Sequence, residues 1–504
     1  MKKLFILIAA AGLVTTSCRK IEVDGGTTTT TTTTEENTIL EGRIIANRTL
    51  KAGYTYKLRG LVYVTNGAIL TIEPGTKIVG ELNRNGALII TRSSKIIADG
   101  TEAKPIIFTS EAATPQRGDW AGVVLLGNAP NNSSFNGVDG VGEIEGGVNN
   151  SDGLGLYGLG ATSNLADNSG IMRYVRIEYA GYAFLPDKEI NGLTFGGVGN
   201  NTVIDYVQVS YANDDSFEWF GGSVNCKHLI SFRTLDDDFD TDNGFSGKVQ
   251  FGISVRDSAI ADISKSEAFE SDNDANGSTR QTYLPTIPVS AANPVAIVPV
   301  KTSAVFSNMT VMGPKATATT NGNSLFLCAA QIRRNSEISI MNSLILGWNG
   351  GSVNGLLIDA SKGAATDFNM VGYTPPGGTA NAATAGLNFS NNIIAGPTSN
   401  AVSYAAAVPP TGSTVASITA WVNTAAFGNT LTANNTDVGL GAPFNYTAPD
   451  FNPTSTTALA ATGASFTNAK LTTKTNNVLD FTPTSYRGAC AVGDSWWKNW
   501  TKFN

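Results

Sequence analysis

One short segment of this chain is written twice. Met172-Arg-Tyr-Val-Arg-Ile-Glu-Tyr-Ala180 returns as Ile204-Asp-Tyr-Val-Gln-Val-Ser-Tyr-Ala212, and both follow Tyr-Val-x-[Ile/Val]-x-Tyr-Ala. A β-type segment that recurs within one chain implies stacked copies, each burying the same inward face against the next. Segments of similar type follow at 227–232, 248–255, 304–311 and 337–346. Upstream, Val62-Tyr-Val64, Ile69-Leu-Thr-Ile72, Lys77-Ile-Val79, Ala87-Leu-Ile-Ile90 and Lys95-Ile-Ile-Ala98 alternate with turn residues at Asn66-Gly67, Asn85-Gly86 and Asp99-Gly100. Strands this short fit a sandwich or a solenoid, and the recurrence selects the solenoid. The expected fold is all-β, a single-stranded solenoid with capped ends. It occupies 39–360, and 361–504 supply final rungs, irregular loops and a C-terminal cap. A separate β-domain in the threonine- and alanine-rich part of 361–480 is the alternative there. Trp496, Trp497 and Trp500 are expected to cap the open end, which would otherwise expose edge and core.

The start of the chain has a different character. Lys2 and Lys3 precede an apolar run from Leu4 to Val14 that ends in Thr15-Thr-Ser-Cys18. The run is too short to span a bilayer and has the layout of a signal peptide, 1–17, with a Cys placed to take lipid after cleavage. Thr15 stands where such signals usually carry Leu, so ordinary cleavage leaving a free thiol is the other reading. Residues 18–38, with threonine unbroken from Thr27 to Thr34, are polar enough to read as a tether. No later stretch has the length and apolarity of a transmembrane helix, so membrane attachment is expected through lipid on Cys18 alone.

The charge balance narrows the partners. Lys and Arg number 34 against 41 Asp and Glu, for a net charge of −7, which argues against nucleic acid. The single histidine, His228, opens a strand and reads as structural; without another, neither a Ser or Cys triad nor a zinc site has its usual residues. Cys226, Cys328 and Cys490 allow one disulfide or none.

Several motifs resemble parallel β-helix lipoproteins of Bacteroidota, right-handed coils of the pectin-lyase-like superfamily. They are Leu70-Thr-Ile-Glu-Pro-Gly-Thr-Lys-Ile78, Gly100-Thr101 with Pro105-Ile-Ile-Phe-Thr-Ser110, Arg117-Gly-Asp-Trp-Ala-Gly122, Asp214-Asp-Ser-Phe-Glu-Trp-Phe-Gly-Gly222, Asp236-Asp-Asp-Phe-Asp-Thr-Asp242 and the ending Tyr486-Arg-Gly-Ala489 with Trp496-Trp497 and Trp500-Thr501. The resemblance implies a right-handed parallel β-helix and a place at the outer membrane, at the cell surface rather than its periplasmic side. It implies little about activity, because that superfamily holds lyases, glycosidases and proteins with none known.

Chemistry concentrates in three acidic clusters: Asp214, Asp215 and Glu218; Asp236, Asp237, Asp238, Asp240 and Asp242; Glu267, Glu270, Asp272 and Asp274. Their spacing is about one rung, so corresponding carboxylates are expected to stack, held in register by Phe217, Phe239 and Phe269 in the core. Stacked carboxylates repel unless neutralised. Calcium suits them, since it takes six to eight oxygens in loose geometry. The competing reading is that aspartates in turns satisfy backbone groups and bind nothing.

Three functions fit these residues. In lyases of the superfamily calcium neutralises a uronate while Lys or Arg takes the neighbouring proton, which makes Arg233, Lys248 and Arg256 candidate bases; such side chains also serve as plain salt-bridge partners. A hydrolase would use a pair such as Asp236-Asp237, but the Gly-His-Gly and Arg-x-Lys motifs of polygalacturonases have no counterpart. A scaffold that binds a glycan or an outer-membrane partner protein needs the fewest assumptions, with Tyr182, Tyr211 and Trp219 as the aromatic platform. The expectation is this scaffold, with a calcium-dependent lyase acting on uronate-containing glycans as the alternative.

Overall fold

The repeated segment folds as two strands, not one. Within Gly170–Glu178 the backbone turns at Tyr174, where φ is 50°, so 170–173 pair with 96–99 while 175–177 pair with 106–108, all in parallel. Val203–Ser210 turns in the same way at Tyr206, φ 54°. A left-handed backbone is unfavourable for an aromatic residue, and ring stacking offsets the cost. The Tyr174 and Tyr206 rings lie 4.5 Å apart, and His228 follows at 4.2 Å and Phe251 at 5.1 Å, each again at positive φ. Further along, the same corner is turned by Asn308, Asn342 and Asn391, a residue type that tolerates this conformation. The second tyrosine of each repeat makes the next corner: Tyr179 and Tyr211 are left-handed and stack at 5.0 Å.

The computed structural model describes residues 36–185, 188–278, 283–285, 297–317, 319–348, 354–396, 401–475 and 477–503. Cys18 and the threonine tract lie outside the described residues. Thr38–Asn504 make one unit, built on a parallel sheet of 28 strands that winds as a right-handed parallel β-helix. Three ribbons run along it. The cleft ribbon stacks 61–64, 87–90, 122–125, 193–196, 217–220, 239–242, 269–271, 330–332 and 356–358. The floor ribbon passes through 170–173, 203–205, 225–227 and 248–250, and the flank ribbon through 175–177, 207–210, 230–232 and 253–255.

Alternate residues of each short strand point inward. In the cleft ribbon Val62 and Val64 sit under Leu88 and Ile90, then Val123 and Leu125, Leu193 and Phe195, and Phe217 and Trp219, all in the main core. Phe217, Phe239 and Phe269 stack at 5.8 and 5.5 Å. These rings fix the register of everything on the outer side of the same strands.

Two parts of the chain cover the outside. The excursion between 126 and 170 lays Ile144, Val148 and Tyr157 on the outer face of the early cleft ribbon, against Tyr63, Ile89 and Val124. After the flank strand Thr430–Thr432 the chain returns along the flank. Asn342 donates to Ser465 O at 3.1 Å, Lys227 to Thr482 at 2.7 Å, Asn308 to Thr484 at 3.0 Å and Gln208 to Lys502 O at 2.7 Å. Trp496, Trp497 and Trp500 therefore pack over Ile230, Phe232, Ile253 and Val255 on the side of the coil, and do not cap its end as expected. Helix α1, Val415–Val422, closes the core there, burying Ile418, Trp421 and Val422. Cys226, Cys328 and Cys490 are free and buried. No helix among the described residues is long and apolar enough to cross a membrane.

Candidate functional site

Two side-chain ladders grow out of the stacked phenylalanines. One step along each strand, the outward column of the cleft ribbon reads Thr194, Glu218, Asp240, Glu270, Gln331. Just before the strands a second ladder ties successive turns together: Asn191 Oδ1 accepts the N–H of Asp215 at 3.2 Å, Asp215 Oδ1 that of Asp237 at 2.7 Å, and Asp237 Oδ1 that of Glu267 at 2.6 Å. Asp215 and Asp237 each spend one carboxylate oxygen on the next coil and leave the other facing its neighbours, while Asn191 turns its Nδ2 to donate to Glu218.

Between the ladders lies a cleft of about 350 Å³, lined by Asn191, Asp214, Asp215, Glu218, Asp236, Asp237, Asp240 and Glu270, with Glu145, Glu189 and Asp262 brought in by loops. Among the described residues, neither Lys nor Arg lines it. Burial, followed by the charge of neighbouring carboxylates, raises Asp214, Asp215, Glu218, Asp237 and Asp240 well above the ordinary carboxyl range. Asp236 is pushed up to about 7, Glu267 to about 8 and Glu270 to about 7, burial again leading in all three. For Glu270, Arg333 pulls the other way.

Oxygens converge in three places. Asp214, Asp215 and Asp236 can bring one carboxylate oxygen each to within 4.8 Å of the others, as can Asp215, Glu218 and Asp240, and Asp237, Glu267 and Glu270. Glu267 is 1 % exposed, yet its Oε1 has no hydrogen-bond partner, and Asp240 Oδ1 is likewise buried and unpartnered. A buried carboxylate oxygen with no donor is expensive. The donor set is hard oxygen throughout, the chemistry that calcium and magnesium select.

Several expected site residues lie elsewhere. Asp238 turns into the coil, fully buried with Arg256 at 3.2 Å and accepting from Ser231 and Ser254, so both are interior and neither serves the cleft. Asp242 is bonded to Asn243, Asp272 is gripped by Arg333 and Arg334, and Asp274 ties its own loop through Ser278 and Asn276. Arg233 pairs with Asp257 at 2.9 Å through Nε, and Lys248 with Asp480 at 2.7 Å, so the three basic residues expected beside the row are committed away from it. Trp219 is wholly buried, stacked between Phe195 and Phe245, and cannot meet a ligand. Tyr182 packs on the apolar cluster under the 126–170 excursion, and Tyr211 is stacked on Tyr179. His228 Nδ1–H donates to Asp205 Oδ1, 2.7 Å away, within the corner stack.

The residue that does stand beside the row is Arg333, 2.6 Å from Glu270 and 2.8 Å from Asp272. It sits one coil below Glu270, two residues past Gln331, the residue that pairs with Glu270.

Residues 42–374, most of the coil just described, match the pectate-lyase-like β-helix domain. The chain belongs to that family. No curated protein and no solved structure matches it. Membership in the pectate-lyase-like β-helix family accounts for the coil and places the chain in the pectin-lyase-like superfamily.

Proposed function

We propose that the cleft is a centre for divalent cations, calcium first, and that the loaded face recognises acidic glycan or a partner protein at the outer membrane. The observation that carries this reading is Glu267 Oε1, buried and unpartnered inside the triad with Asp237 and Glu270. A cation there would satisfy it and offset the repulsion that, after burial, raises Asp214, Asp215, Glu218, Asp237 and Asp240. A cation not fully wrapped by protein keeps positions open to a ligand oxygen, and a uronate carboxylate is such a ligand. In this reading Cys18 carries lipid and the threonine tract holds the coil off the membrane, facing outward.

Lyase chemistry is the second reading, favoured by Arg333 at the edge of the row. Its guanidinium is held charged by Glu270 and Asp272, which makes it a poor base as it stands. Calcium binding to Glu270 would release one of those contacts.

Binding of oligogalacturonides measured with calcium and with chelator, together with ultraviolet absorbance for new unsaturated uronate, tests both readings. Calcium-dependent binding without absorbance is expected. Rising absorbance, lost in Arg333→Gln, would replace the scaffold with a lyase. Absence of calcium-dependent binding to any acidic glycan or envelope protein would remove the recognition role.

A further inference from the structure

A second cleft, of opposite charge, opens on the flank ribbon where the returning C-terminal segment ends. It encloses about 350 Å³ and is lined by Lys77, Thr109, Arg176, Glu178, Tyr179 and Lys502, among others. Register explains the cluster. Lys77 and Arg176 both pair with Ile107, so their side chains leave the same outward column two coils apart. Lys502 is delivered by the returning segment, fixed where Gln208 Nε2 meets Lys502 O at 2.7 Å and Gln208 Oε1 takes Lys502 N–H at 2.8 Å.

The cleft's charges do not cancel. Arg176 faces Glu178 at 3.0 Å, and Glu178 also accepts from Thr109 at 3.1 Å. Neither Lys77 nor Lys502 has an ion-pair partner among the described residues. Two ammonium groups thus line the cleft without an ion-pair partner among the described residues, its one carboxylate, Glu178, being taken by Arg176. Beside them stands the half-buried ring of Tyr179, backed by Tyr211 at 5.0 Å, and Tyr211 in turn carries Arg117 at 5.4 Å and Arg233 at 5.5 Å from its centroid. Arg233 is neutralised by Asp257; among the described residues Arg117 donates to Ala212 O, at 3.1 Å, and pairs with no carboxylate. A rigid ring edged by free cations suits a flat, oxygen-rich anion.

We propose that this basic cleft is a separate binding site for an anionic sugar unit, whose carboxylate or sulfate meets Lys77, Arg176 and Lys502 and whose ring lies against Tyr179. The site needs no metal. It stands on different residues from the acidic cleft, so either can fail alone.

The test is calorimetry of the protein in excess chelator with three probes of equal length: an oligogalacturonide, a sulfated galactan oligomer and a neutral oligosaccharide. One or both anionic probes should bind, more weakly as salt rises, and the neutral probe should not. Whichever binds identifies the anion as carboxylate or sulfate. Lys77→Gln and Lys502→Gln alter exposed side chains with no ion-pair role in the fold, and each should weaken binding about tenfold, the worth of one charge-assisted hydrogen bond. Tyr179→Ala should weaken it as well. Failure of both anionic probes to bind, or binding unchanged in the Lys77→Gln, Lys502→Gln double variant, would overturn the proposal.

Discussion

The cleft ribbon has one outward column and two opposite ways of treating it. In the early coils the column is Tyr63, Ile89 and Val124, sealed under Ile144, Val148 and Tyr157. A few coils later it is Glu218, Asp240 and Glu270, where, among the described residues, no apolar layer covers the column and no Lys or Arg lines the cleft. The strands pair in parallel in both halves, and the inward side chains, aliphatic in the early coils and aromatic later, are buried throughout, so the fold does not call for the acids. Carboxylates set at one-coil spacing, one of them buried with an idle oxygen, are retained against the physics of a stable coil.

Exchanging the chemistry of the two halves should break the contrast. Val124→Asp would bury an unpaired charge beneath the 126–170 excursion and cost about 4 kcal/mol or more, read as a large fall in the denaturation midpoint. The reverse change, Asp240→Leu, should be neutral or stabilising by about 1–4 kcal/mol in chelator, while weakening the response to calcium through loss of the cluster it forms with Asp215 and Glu218. Loss of stability in chelator after Asp240→Leu would mean that the cleft acids support the fold.

The interior pair sharpens the contrast by showing what a carboxylate with a partner does. Asp238→Ala would leave Arg256 buried without its counter-charge, a loss of about 3–5 kcal/mol that calcium should not repair. Wild type in calcium at about a hundred times its dissociation constant should gain about 2.7 kcal/mol over wild type in chelator.

A smaller effect is expected with pH. Because the cleft carboxyls titrate higher in the folded chain than in the unfolded one, the folded state holds more protons between these values. The contribution of these carboxyls to stability in chelator should therefore be fully present below about 4, the range of free carboxyls, and decline as pH rises through about 7 for Asp236 and Glu270 and about 8 for Glu267. Calcium should flatten that decline. Denaturation midpoints recorded across pH with and without calcium check the sign.

Much of this arrangement could be read in the residues. Phe217, Phe239 and Phe269 recur inside acidic triplets, which is enough to stack the coils and set Glu218, Asp240 and Glu270 in one column. Alternation also decides Trp219: with Glu218 outward, both Phe217 and Trp219 must face in, and an aromatic platform there conflicts with strand geometry. Asp238 is different, since it precedes the strand in a turn and is drawn inward by Arg256 from the coil below, a contact that no local pattern announces. Arg333 was hidden for a related reason. It joins the row only because the excursion after Asp272 returns the chain to the next rung of the same ribbon. The tyrosines of the repeat were legible as a signature and misleading as a strand, because their left-handed corners are a property of the backbone.

The central claim is that the idle oxygens of the acidic cleft are cation ligands. Calorimetric titration of calcium into the chelator-stripped protein, beside Glu267→Gln and Asp215→Asn, tests it most directly. The account predicts saturable binding by the wild type and weaker binding or fewer sites in each variant. Titrations that show no binding, or binding that both variants leave unchanged, would contradict it.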